Sequence, residues 1–170
     1  MACGALWAGA PARVEDKVRD KFVPAAYDRQ KIEGLLGRRL QVNLEGRLWH
    51  VDEARLLAGF AHRPGEQDWI GEHAGKFLHA AANTWLYTHD ERLKASMDRI
   101  ARGLIASQGP DGYLGTYTDD KRWTSLDVWV HKYDLIGLIS YYQATGYAPA
   151  LDTARKIGDL LCRTFGDQAG

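Results

Sequence analysis

The amino-acid sequence predicts an all-α fold in which helical hairpins build a toroid or a solenoid. Segments 72–88 and 127–145 carry apolar residues around the whole helical wheel, which indicates helices buried on every side. Each is followed by a segment with one apolar stripe, which indicates a helix that faces water. Two concentric layers satisfy both patterns, whereas the helices of a four-helix bundle would all be equally amphipathic.

The first part of the chain is less regular. Residues 1–21 are interpreted as an N-terminal extension, and Val23-Pro24 predicts an extended segment because proline disfavours helix in the residue before it. Asp28 is predicted to cap a first helix that runs to Asn43, with apolar residues recurring every three or four positions.

The elements around the first buried helix have local signals. A short helix is predicted over Asp52–Phe60, and Pro64-Gly65 predicts a loop over 62–71. The buried helix is expected from Glu72 to Thr88, and Asp90 is expected to cap the amphipathic helix that follows.

The second hairpin is bounded in a similar way. Thr124 and Asp127 match a capping box, which predicts the start of the second buried helix. Gly146 is expected to end it, Pro149 suits the first turn of the last helix, and Gly166 is expected to close that helix.

A weak internal repeat supports the pairing of these helices into hairpins. An aromatic residue stands three positions before a threonine in both turns, as Trp85 before Thr88 and as Tyr142 before Thr145. The hairpins supply about half of a ring, so residues 22–170 are interpreted as the N-terminal portion of a barrel in a truncated chain. We therefore expect the last buried helix to expose an apolar face that could support self-association.

Composition excludes several function classes. The 22 basic residues balance the 22 acidic ones, so there is no basic stripe for nucleic acid, and no run of about 20 apolar residues predicts a membrane span. Cys3 and Cys162 are far apart and form no metal-binding motif, and Cys162 is interpreted as a buried, inert thiol. The sequence leaves the compartment open between cytoplasmic and secreted.

The most informative loop is predicted over 108–124. It presents the aromatic residues Tyr113 and Trp123 beside the carboxylate of Asp111, a combination that suits a sugar-contacting surface. A packed loop that covers the end of the barrel explains the same composition equally well.

Two histidines are candidates for function. His131 lies on a helix that is otherwise apolar, where an imidazole must find a hydrogen bond or serve a function. His73 opens the first buried helix beside Glu72, at a rim where helix N–H groups and a substrate would meet. No histidine pair has metal-ligand spacing, and Glu72, Asp111 and Asp127 cannot be ranked as a catalytic carboxyl pair from sequence.

Three segments in order resemble those of glycoside hydrolase family 127, which typifies β-L-arabinofuranosidases. They are Trp69-Ile-Gly-Glu-His-Ala-Gly-Lys-Phe-Leu78, Gln108-Gly-Pro-Asp-Gly-Tyr-Leu-Gly-Thr-Tyr117 and Asp127-Val-Trp-Val-His-Lys-Tyr-Asp-Leu-Ile-Gly-Leu138. The resemblance runs from about Phe22 to Gly166. It implies an (α/α)6 barrel that hydrolyses arabinofuranosides with a zinc-bound cysteine thiolate as nucleophile and a glutamate as acid/base.

What the resemblance implies for this chain is limited to sugar binding. The family's zinc, cysteines and glutamates belong to a later part of the barrel, so neither catalytic residues nor a cofactor is expected here. His131 matches a family histidine on the substrate-facing end of an inner helix, and His73 and the loop from Asp111 through Tyr113 to Trp123 match more weakly. Two alternatives stay open: a non-catalytic hairpin module that binds a partner through its apolar face, and another (α/α)6 enzyme such as a polysaccharide lyase.

Overall fold

The computed structural model describes Phe22 and residues 25–166, and all regular structure in this part of the chain is helical. This confirms the all-α prediction. Within these residues six α-helices follow one another: α1 (Gly34–Gly46), α2 (Glu53–Ala61), α3 (Glu72–Thr88), α4 (Glu91–Ser107), α5 (Asp127–Thr145) and α6 (Ala148–Phe165). The predicted extension over residues 1–21, with Cys3, lies outside the described residues.

The first helix begins later than predicted. Asp28 lies in a short 3-10 helix, Tyr27–Arg29, and α1 begins at Gly34 after an extended Glu33 without a side-chain cap. The backbone N–H of Ile32 donates to Tyr87 Oη on α3 at 2.8 Å. The predicted cap at Asp28 is therefore wrong, because a contact with a distant helix holds the intervening chain extended.

The predicted cap at Asp90 is confirmed, and Asp52 is a second cap, which was not predicted. Asp52 accepts a hydrogen bond from the Arg55 backbone N–H at 3.0 Å at the start of α2, and Asp90 accepts one from Leu93 at 2.7 Å at the start of α4. Each satisfies one of the N–H groups that the first turn leaves unpaired.

The capping box predicted for α5 is wrong, although the helix does begin at Asp127. Its N-cap is Leu126, which provides no side-chain hydrogen bond. Thr124 Oγ1 donates instead to the carbonyl of Lys121 at 2.6 Å. The side chain of Asp127 accepts from groups in the preceding loop, so both members of the supposed box have other partners.

The helices form two layers. α3 and α5 lie side by side, and α4 and α6 pack against them as amphipathic helices. Gly75 and Gly137 allow the close approach of α3 and α5, since a Cβ on Gly137 would lie 2.7 Å from Gly75 Cα. The residues buried between the layers include Leu78, Ala81, Leu93, Met97, Ile100, Leu104, Val130, Leu138, Ala154 and Ile157.

The two hairpin turns have the same hydrogen bonds, which confirms the internal repeat. Thr88 Oγ1 donates to the carbonyl four residues earlier and accepts from the N–H two residues later, and Thr145 does the same. The next residues, His89 and Gly146, both adopt left-handed backbone conformations that end α3 and α5.

The surface of the helices agrees with the sequence-based expectation on α5 and disagrees with it at Cys162 on α6. α5 exposes an apolar face, here called the α5 apolar face, formed by Val128, Trp129, Ile136 and Ile139. This confirms the prediction that the last inner helix is open on one side. Cys162, however, is exposed rather than buried, because it points about 100° away from the half-buried Leu161 on α6.

Candidate carbohydrate-binding site

Two loops meet at the N-terminal ends of α3 and α5. The backbone N–H of Gly65 donates to Thr116 O at 2.8 Å, Arg63 Nε donates to Gly115 O at 2.8 Å, and Tyr117 Oη donates to Asp68 O at 2.9 Å. Residues 112–117 are buried. Residues 112–117 of the 108–124 loop therefore form a packed cover over this end of the helices.

Asp127 connects the cover to α5. Its wholly buried carboxylate accepts from Tyr113 Oη at 2.9 Å and from the Trp123 backbone N–H at 2.9 Å. Trp123 and Ser125 both have positive φ, 67° and 47°, which costs free energy for residues with side chains. Such strain concentrates at functional sites, because the surrounding contacts must maintain it.

His131 lies directly beneath this cover and is wholly buried. Its Nδ1 donates to Asp127 O at 2.8 Å, so the neutral ring has an acceptor at Nε2, and Nε2 has no hydrogen-bond partner among the described residues. Its ring centroid lies 4.9 Å from that of Tyr113 and 5.3 Å from that of Trp123. Burial lowers the pKa of His131, outweighing the nearby carbonyl and carboxylate of Asp127.

Basic residues surround the Tyr113 ring. The Arg122 guanidinium carbon lies 3.9 Å from its centroid and that of Arg63 lies at 5.0 Å. Burial, with the charge of Asp127, raises the pKa of the Tyr113 hydroxyl, so it stays a hydrogen-bond donor. Arg122 also pairs with Asp111 at 2.6 Å. Burial of Asp111 is outweighed by hydrogen bonds from Tyr113 N–H and Arg122, which lower its pKa.

The structure thus brings four of the five sequence-predicted residues together, and His73 lies elsewhere. Asp111, Tyr113, Trp123 and His131 form one cluster. His73 is half-buried in the first turn of α3 and lines two neighbouring cavities of about 230 and 260 Å³. Val51 and Leu56 line both cavities with it.

A second group of polar and aromatic residues was not predicted as a unit. We call it the inner-face cluster: Glu72 and Lys76 of α3 with Trp129, Lys132 and Tyr133 of α5. Trp129 Nε1 donates to Glu72 Oε2, and Lys76 Nζ donates to Glu72 Oε1 at 2.6 Å. Sequence reasoning counted Trp129 as part of an apolar wheel, and no local signal connects it with Glu72, 57 positions away.

The described residues show no arrangement that fits a metal ion. They contain no group of three or more histidine, cysteine, aspartate or glutamate side chains close enough to ligate one. Within the same residues, no helix combines the length and apolar character needed to cross a bilayer.

Proteins described as arabinofuranosidases are similar to this chain in sequence or in structure. A "non-reducing end beta-L-arabinofuranosidase" from Bifidobacterium longum subsp. longum is 32% identical over 107 residues, covering 56% of this chain and 16% of that protein. The solved GH127 β-arabinofuranosidase BT3674 matches with a TM-score of 0.62 at 21% identity, covering 81% of this chain and 26% of that one. Ara127N, a GH127 β-L-arabinofuranosidase from Geobacillus stearothermophilus T6, gives 0.61 at 21% identity, covering 78% and 23%.

The two structural matches establish the fold. The chain spans between 16% and 26% of the length of these three relatives. The family model "Beta-L-arabinofuranosidase, GH127 catalytic domain" matches residues 16–170. On that match the chain belongs to the GH127 β-L-arabinofuranosidase family.

Proposed function

We propose that this chain is the N-terminal portion of a GH127 barrel and that it supplies part of the sugar-binding pocket without supplying the catalytic groups. Residues 22–170 are the barrel portion in this proposal. The observation that supports the pocket is the buried Nε2 of His131, a hydrogen-bond acceptor with no partner among the described residues.

The pKa directions of the carboxyl groups support a non-catalytic role. A glycosidase needs a carboxylic acid with a raised pKa within reach of the glycosidic oxygen. Burial of Glu72 is outweighed by hydrogen bonds from Lys76 and Trp129, so its pKa is lowered, and the pKa of Asp111 is lowered too. Burial raises the pKa of Asp134 well above its ordinary value, but this residue is wholly buried at the α3–α5 contact.

The remaining sequence-predicted residues take supporting roles in this proposal. Trp123 and Tyr113 pack against the ring of His131, and Asp111 fixes Arg122 over the Tyr113 ring. His73 contributes at the cavities beside α2. A neutral arabinofuranoside suits these groups because its hydroxyls both donate and accept hydrogen bonds.

Saturation-transfer NMR with methyl β-L-arabinofuranoside tests the pocket on the 170-residue chain. We expect transfer to the sugar with the wild-type chain, a weaker effect with His131→Ala, and no change with Cys162→Ser, an exposed position on α6. His131→Gln, which keeps a polar group, checks that a loss is not due to unfolding. Absence of transfer with the wild-type chain would contradict the proposal.

Hydrolysis assays test the second half of the proposal. The chain is expected to release no aryl group from an aryl β-L-arabinofuranoside. Turnover that His131→Ala abolishes would mean that catalytic groups lie in this chain after all.

The α5 apolar face favours a second candidate, a partner-binding hairpin module. Val128, Ile136 and Ile139 are each more than a third exposed on one side of this helix. Clustered apolar surface of this kind marks protein contact sites. In this alternative the partner is a second copy of the chain, and a monodisperse oligomer indifferent to arabinose-containing glycans would support it.

A further inference from the structure

We propose that Trp129 is a stacking platform for a neutral sugar ring and that the inner-face cluster is a sugar subsite separate from His131. The proposal rests on the carbohydrate ligand of the proposed function. The subsite lies on a different side of α5 from His131, because residues two apart on an α-helix point about 200° from each other. Trp129 and His131 therefore cannot contact the same sugar ring from the same side.

The indole of Trp129 is both exposed and fixed. Its exposed fraction is 43%, although a large aromatic side chain is favoured inside a protein. Its Nε1–H donates to Glu72, which is only 8% exposed and is itself held by Lys76. The ring orientation is thus set before a ligand arrives, which reduces the entropy that binding costs.

Polar groups around the ring match sugar hydroxyls. Glu72 only accepts hydrogen bonds and the lysines only donate them, so a hydroxyl finds both kinds of partner. Lys132 Nζ lies 3.5 Å from the Trp129 ring centroid and 4.2 Å from that of Tyr133, and its exposed side chain can give way to a ligand. Lys76 Nζ lies 4.4 Å from the Tyr133 ring.

A neutral sugar fits the cluster once Lys132 has moved aside. The ion pair with Glu72 neutralises Lys76, and the one remaining positive charge of the cluster, on Lys132, lies on the ring face that the sugar would occupy. An apolar C–H face of a sugar ring can replace the lysine on the indole, with its hydroxyls directed to Glu72 and Lys76. Lys76 also lines the cavity of about 230 Å³ that contains His73, so a longer saccharide would continue towards α2.

The test follows the indole N–H resonance of Trp129, assigned by its loss in Trp129→Phe, during titration of the 170-residue chain with methyl β-L-arabinofuranoside. We expect this resonance to shift, and binding to weaken about tenfold in Trp129→Ala and less in Trp129→Phe. Leu35→Ala is the control: it also truncates an exposed apolar side chain, but on α1, outside both proposed binding surfaces. Circular dichroism checks the fold of each variant.

The outcomes separate this proposal from the proposed function. Sugar binding that is lost in His131→Ala, with no shift at Trp129 and no effect of Trp129→Ala, overturns the subsite and leaves the pocket at His131. Absence of sugar binding by the wild-type chain overturns both. Binding of sodium glucuronate in preference to the neutral sugar, dependent on Lys132, overturns the neutral-sugar assignment.

Discussion

Gly75 of α3 and Gly137 of α5 bring the backbones of the two inner helices into contact: a Cβ on Gly137 would lie 2.5 Å from the Gly75 carbonyl oxygen and 2.7 Å from its Cα. The obstructing atoms belong to backbone, so they cannot turn aside as a side chain would. The spacing of α3 and α5, and with it the inner-face cluster, depends on the absence of side chains at these two positions.

We therefore predict that Gly137→Ala lowers the free energy of unfolding by about 3 kcal/mol, the upper range for overpacked cores. Gly158→Ala in α6 is the matched control, since a Cβ there would meet nothing within 4 Å. The control should raise stability by about 0.5–1 kcal/mol, because alanine loses less backbone entropy than glycine in a helix. Urea unfolding followed by circular dichroism measures both, and equal effects would refute the close contact.

The carboxyl group of Asp134 predicts a pH dependence of stability. Its side chain is wholly buried, and burial raises its pKa well above the ordinary value, outweighing the Gly75 backbone, which lowers the pKa. The folded state therefore binds a proton that the unfolded state releases above about pH 4, and stability falls as pH rises from there through the folded-state pKa.

Asp134→Asn tests this dependence because asparagine is neutral at every pH and has nearly the same size. The gain in stability of Asp134→Asn over the wild type should grow with pH and then level off. Urea unfolding from pH 4 to 8 measures it, and parallel curves for the two proteins would show that Asp134 is ionised in the folded state.

The buried imidazole of His131 gives a prediction of opposite sign. Because burial lowers its pKa, the folded state favours the neutral ring, and this contribution to stability is lost as pH falls below the unfolded-state value of about 6.5. Nitrogen NMR should show that His131 stays neutral to a lower pH than a free imidazole, with the proton of the neutral ring on Nδ1. A ring that becomes charged at the pH of a free imidazole would indicate that water or a carboxylate reaches Nε2.

The sequence predicts those features of this fold that depend on neighbouring residues. The cap at Asp90 was predicted because its partner, Leu93, lies only three residues away. The predicted cap at Asp28 was wrong because the backbone N–H of Ile32 donates to the hydroxyl of Tyr87, 55 positions away. A local capping pattern contains no information about such a distant contact.

In the candidate site, too, local features were predicted and contacts between distant residues were not. The loop residues Tyr113 and Trp123 were identified from composition, and they do lie beside His131. The hydrogen bond from Trp129 to Glu72 requires α3 and α5 to be placed side by side first. Helical periodicity shows that Trp129 is apolar and inner, but not that its N–H has a partner.

Asp90 provides a prediction on the outer layer. Its Oδ1 accepts from the Leu93 backbone N–H and also from Trp49 Nε1 at 3.1 Å, whereas Asp52 Oδ1 caps α2 without a second bond of this kind. Asp90→Ala should therefore cost more than Asp52→Ala, about 2 against about 1 kcal/mol in the free energy of unfolding. Urea denaturation compares them, and equal losses would mean that the Trp49 contact contributes nothing.

The α5 apolar face predicts self-association of the isolated chain. Ile136 and Ile139 are 38% and 37% exposed, and their side chains would leave water if two copies met along this helix. Ile136→Lys with Ile139→Lys should yield a monomer, because burying two ammonium groups without partners is costly. Sedimentation equilibrium over a range of concentrations measures the change, with Leu35→Lys on the exposed side of α1 as control. A wild-type chain that stays monomeric at high concentration would exclude this face as a dimer contact.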